Sequence, residues 1–61
     1  MNFPEAVKEL RQKALLTQTE LARKLSVAYA TVNRWENGHH EPTMGDKRKI
    51  RALCRRYGIE I

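Results

Sequence analysis

At 61 residues the chain is long enough for one small domain that buries roughly 60% of its unfolded surface, and too short to wall an enzyme cleft. Twelve Lys and Arg against seven Asp and Glu leave a net charge of +5 and a pI near 9.9, the electrostatic footprint of a polyanion binder. A single cysteine excludes an internal disulfide, no Cys and His cluster has zinc spacing, and no apolar run approaches the ~20 residues of a membrane span; the expectation is one domain over residues 1–61, without metal or cofactor, in a reducing cytoplasm.

The first predicted helix opens at Pro4, where a missing N–H costs nothing, with Glu5 against the positive end of the helix dipole. It ends near Ala14. Phe3, Val7, Leu10 and Ala14 recur at i, i+4, i+7 and i+11, one face turned to a core. Leu15 and Leu16 then bridge to Thr17. Thr17 and Glu20 have the spacing of a capping box, so a second helix starts at Gln18. Leu21, Ala22 and Leu25 form its apolar stripe, Glu20, Arg23 and Lys24 face water, and Ser26 ends it.

A third helix, over about residues 28–37, follows a tight turn. Val27, Val32 and Trp35 lie on its buried side, while Tyr29, Ala30, Asn33 and Arg34 share the other. Asn37 and Gly38 both tolerate the left-handed conformation that stops a helix, and residues 39–42 are loop. Thr43 and Asp46 open a last helix, predicted over 44–57 and closed by Gly58. Ile50, Leu53, Cys54 and Tyr57 form its inner face, with Ile59 folded back on it, and Lys47, Arg48, Lys49, Arg51, Arg55 and Arg56 cover the outer face. The fold expected is an all-α bundle of four short helices.

Two short helices across a three- to four-residue turn make a helix-turn-helix, whose second helix can enter a major groove. The residues Gln18, Glu20-Leu21-Ala22, Val27, Thr31-Val32 and Arg34-Trp35-Glu36-Asn37-Gly38 resemble the phage repressor and Cro family of DNA-binding domains, the XRE-type helix-turn-helix. The resemblance covers nearly the whole chain and implies a lambda-repressor-like bundle that regulates transcription. It also implies base contacts from Tyr29, Ala30, Asn33 and Arg34. Phosphate contacts are implied for Gln18, Asn37, His39 and Lys47, and a structural ion pair for Arg11 with Glu36. Groove geometry favours arginine on guanine and asparagine, bidentate, on adenine. Three positions depart from the family: it usually has glycine where Leu15 and Ser26 stand, and a Ser or Thr cap where Ala28 stands. The serine in a left-handed turn and the missing cap each cost ~1 kcal/mol.

Other features have plainer readings. Trp35 and Val32 are core by spacing, and Cys54 on the apolar face is a small buried hydrophobe. The adjacent His39 and His40 point apart and lack two further metal ligands. The rival to DNA is a protein partner, with the chain acting as an antitoxin or coactivator-type interaction module. The chain is expected to be a monomer or weak homodimer alone and to pair on DNA across half-sites about 34–36 Å apart.

Overall fold

The computed structural model describes residues 2–59, which form four helices: α1 (Phe3–Lys13), α2 (Gln18–Leu25), α3 (Tyr29–Glu36) and α4 (Met44–Arg56). Each start has a local cause. Asn2 caps α1, its Oδ1 accepting the Glu5 N–H at 3.0 Å, a cap that the reading from Pro4 and Glu5 did not include. At α2 the capping box closes in both directions: the Glu20 N–H donates to Thr17 Oγ1 at 3.1 Å, and the Thr17 N–H donates to Glu20 Oε1 at 2.9 Å. The bond from the Thr17 backbone N–H, more than any other contact, holds the exposed Glu20 carboxyl below its ordinary pKa. A depressed carboxylate stabilises the fold above its unfolded pKa and ceases to do so as pH falls through the folded value, so this cap weakens only in acid. Thr43 caps α4, accepting the Asp46 N–H at 3.2 Å. Ala28 begins α3 with no side-chain hydrogen bond, as its chemistry requires.

All four helices end alike. In each, a residue with positive φ follows the last turn, and the next N–H reaches back to a carbonyl five residues earlier: Leu16 to Arg11 at 2.9 Å, Val27 to Ala22 at 2.9 Å, His39 to Arg34 at 2.9 Å and Ile59 to Cys54 at 2.9 Å. The turning residues are Leu15 (φ 58), Ser26 (φ 59), Gly38 (φ 73) and Gly58 (φ 70). Glycine is the ordinary choice in this motif because it carries no Cβ. The turns at Leu15 and Ser26 keep the left-handed form without it, since the next residues, Leu16 and Val27, pack against the core.

Leu15 is 89% exposed, so its side chain contributes almost no burial to offset the strain. Leu15→Gly is therefore expected to stabilise the fold by about 1 kcal/mol, the left-handed penalty less the entropy glycine costs, and to raise Tm by about 4–8 °C. Thermal denaturation followed by circular dichroism checks this; an unchanged or lower Tm would mean the turn carries no strain.

The core is one cluster drawn from every helix. Val7 and Leu10 of α1, Leu21, Ala22 and Leu25 of α2, Val32 and Trp35 of α3, and Ile50 and Cys54 of α4 meet at its centre, with Ile59 closing the end. Helix α3 packs on α1 and α2, and α4 packs on the same two. Burial raises the Cys54 thiol above its ordinary pKa, so the sulfur is a neutral core group. The indole N–H of Trp35 is buried and has no hydrogen-bond partner among the described residues.

Two expectations are corrected. Tyr57 was placed on the inner face of the last helix, but that helix stops at Arg56 and Tyr57 is 38% exposed. Gly58 turns the chain so that Ile59, not Tyr57, folds over Cys54, the apolar contact that accompanies this kind of helix end. Ala14 is the half-buried cap of α1 and lies outside the core cluster, whereas Ala6 is fully buried. Lys49 is exposed on the outer face, as expected, and its Nζ also donates to the Leu25 carbonyl at 3.2 Å, closing the negative end of α2 with a cation.

Candidate nucleic-acid interface

Helix α3 is eight residues long and two-sided. Val32, Trp35 and Glu36 are buried, which fixes its rotation about its own axis. Tyr29, Ala30 and Arg34 are exposed and Asn33 is half-buried, so the four predicted base-contacting residues form one outward stripe at i, i+1, i+4 and i+5. Tyr29 is 52% exposed, leaving most of its ring off the core.

A polar network locks this helix to the others. Arg11 of α1 grips Glu36 at the end of α3 with two parallel bonds, Nε to Oε2 at 2.8 Å and Nη2 to Oε1 at 3.0 Å. The Glu36 side chain is 3% exposed and that of Arg11 is 24% exposed. This fork is the geometry that makes arginine a better carboxylate partner than lysine. The hydrogen bond to Glu36 raises the guanidinium's pKa above its ordinary value, against the opposing pull of desolvation.

Gln18, the first residue of α2, joins the same carboxylate. Its Nε2 donates to Glu36 Oε1 at 3.1 Å and to Asn33 Oδ1 at 3.4 Å. Asn37 completes the set from the other side, its Nδ2 donating to the Asn33 carbonyl at 2.8 Å and to Asn33 Oδ1 at 3.3 Å. Arg11, Gln18, Asn33, Glu36 and Asn37 are thus one cluster spanning α1, α2 and α3. Only the Arg11–Glu36 pair was expected. The Asn33–Asn37 contact had a readable signal in its i, i+4 spacing; the bonds from Gln18 to α3 had none, because they depend on the crossing of two helices.

The predicted phosphate-contacting residues are placed in three different settings. The side-chain N–H groups of Gln18 and Asn37 are both committed inside the cluster, and the backbone N–H of Asn37 donates to the Asn33 carbonyl at 3.1 Å. At the first position of α2, the Gln18 main-chain N–H belongs to the turn whose amides have no helical acceptor. His39 is exposed just past the end of α3, with its own N–H on the Arg34 carbonyl. Lys47 is half-buried in the first turns of α4, where it lines a hollow of about 290 Å³ with Phe3, Met44, Arg48 and Arg51 and not the stripe on α3.

A model of the Cro- and C1-like, XRE-type helix-turn-helix matches residues 7–61. The chain belongs to that family. No curated protein and no solved structure matches it. The family is one of DNA-binding, transcription-regulator-type domains and is not typically enzymatic. Four helices packed with α2 and α3 across a tight turn are its fold, and Leu15, Ser26 and Ala28 are where this member keeps the backbone geometry with unusual side chains. Among the described residues no helix is long and apolar enough to cross a membrane.

Proposed function

We propose that the chain binds double-stranded DNA sequence-specifically as a repressor-like transcriptional regulator, or as the DNA-binding module of one, with α3 in the major groove. The observation that carries this reading is the outward stripe of α3, where Tyr29, Ala30, Asn33 and Arg34 stand on a helix whose opposite side is fixed by Trp35, Val32 and the Arg11–Glu36 fork. A reading head needs a rigid mount, because base contacts discriminate only if the donors are held in place. Arg34 has the fork geometry for guanine O6 and N7, and Ala30 with the Tyr29 ring suits a thymine methyl.

Phosphate contacts from Gln18 through its main-chain N–H, and from His39 and Lys47, would set the register of the helix without reading sequence, while the Asn37 amide stays on Asn33. The further cations of α4 add long-range attraction. A cytoplasmic location accords with a nucleic-acid partner and a free buried cysteine. The whole chain acts as one module, a monomer or weak dimer alone that pairs on DNA.

Selection of bound duplexes from a random pool tests the reading. The expected product is an inverted repeat with half-sites about one helical turn, 34–36 Å, apart. In the same selection Arg34→Ala should relax one base position and cost ~1–3 kcal/mol against the parent site, while binding to unrelated DNA barely changes. A pool that shows no enriched sequence would remove sequence-specific recognition.

A further inference from the structure

The hydrogen-bond donors around Asn33 determine which way its amide faces. Glu36 is a carboxylate and can only accept, so the Gln18 group 3.1 Å from it must be the NH2. The main-chain carbonyl of Asn33 can likewise only accept, so the Asn37 group 2.8 Å from it must also be an NH2. Those same two NH2 groups lie 3.4 and 3.3 Å from the end of the Asn33 side chain, and both bring hydrogens. An NH2 of Asn33 in that place would face two donors with nothing to accept. Its oxygen therefore points inward, with both lone pairs occupied, and its own NH2 is left without a partner among the described residues.

We infer that Asn33 is a specificity-determining residue that reads DNA as a donor only, selecting a keto base (guanine through O6 and N7, or thymine through O4) over the amino bases adenine and cytosine. This rests on the reading of α3 as the recognition helix, and it replaces the bidentate adenine contact that asparagine makes when its oxygen is free. An adenine contact of that kind needs one acceptor and one donor on the side chain; here the acceptor is consumed by Gln18 and Asn37. Against cytosine the outward NH2 meets only the amino group of the base, donor against donor; adenine offers it N7 alone, beside an amino group that also donates, one acceptor where guanine has two. The carboxylate of Glu36, held by Arg11, fixes the amide of Gln18, and Gln18 fixes Asn33, so the base preference is set in part from α1 and α2.

The test is Asn33→Asp in the random-pool selection, beside the parent protein. Aspartate keeps an inward oxygen to accept from Gln18 and Asn37 while presenting an acceptor outward in place of the NH2. One position of the selected site should invert, a keto base on a given strand giving way to an amino base on that strand, with a preference of ~10-fold, as for one misread base pair. Overall affinity falls as well, since the outward charge repels phosphate. Melting of the variant at the parent's temperature establishes that it folds. A second variant, Gln18→Met with Asn37→Ala, releases the Asn33 amide to rotate, and at the same position both orientations of the base pair should then be accepted.

If the parent enriches no sequence, the DNA reading itself fails. If the parent enriches a site but Asn33→Asp alters no position or leaves the base pair in its original orientation, the donor-only assignment fails while the DNA reading stands. Retention of the parent's preference by the doubly substituted variant would equally overturn the orienting role of Gln18 and Asn37.

Discussion

Arg11→Ala is expected to lower stability by ~3–5 kcal/mol, the cost of leaving one member of a buried ion pair alone. The asymmetry in exposure decides which partner matters more. Glu36, 3% exposed against 24% for Arg11, cannot recover its hydration when the guanidinium is removed, and retains only the amide of Gln18 at 3.1 Å. Glu36→Ala leaves an arginine that can turn partly to water, so its loss should be smaller, ~2–3 kcal/mol, made of a lost charged hydrogen bond and the desolvated amide of Gln18. A domain of this size holds on the order of 3–9 kcal/mol in all, so Arg11→Ala should leave much of the population unfolded at 37 °C. Denaturant unfolding of the two variants and the parent measures both. Two variants that unfold with the parent would show the pair contributes nothing net.

Most of the fold was legible because the helix signals are local. The capping box at Thr17, the cap at Thr43 and the stops at Gly38 and Gly58 need only residues three or four apart to be read. The ends at Leu15 and Ser26 were harder, since local preference argues against a left-handed leucine. There the packing of Leu16 and Val27 against the core overrides propensity; Ser26 was readable as a helix end, but only the resemblance to a family with glycine at those places suggested the left-handed form. Tyr57 was misplaced for a related reason. Its i, i+7 spacing from Ile50 is right for a helix that continues, but Gly58 ends the helix and brings Ile59 inward instead.

The candidate site was legible in part. Its outward stripe follows from the buried positions Val32 and Trp35, because fixing one side of a helix fixes the other. The Arg11–Glu36 pair joins residues 25 apart in sequence, beyond any periodicity, and was readable only by resemblance. The roles of Gln18 and Asn37 as orienting groups for Asn33 were not readable at all, since they turn on individual donor and acceptor atoms. The departure at Ala28 was read correctly from its lack of a side-chain oxygen.

The largest effect on binding should come from salt. Each phosphate neutralised by a cation releases condensed counterions, giving a log-log slope of ~0.9 per contact on duplex DNA. Two copies neutralising about four phosphates between them would lose ~100-fold in affinity between about 50 and about 200 mM salt. The net charge of +5 and the cations of α4 make such a response possible; a protein partner held in an apolar contact would respond far less, since salt screens exposed charges and not buried apolar area. The measurement that bears most directly on the account is therefore a titration of the intact chain onto duplex DNA at those two salt concentrations: duplex DNA as partner predicts tight binding at the lower and a steep fall at the higher, and weak binding at both, or a flat response, would contradict it.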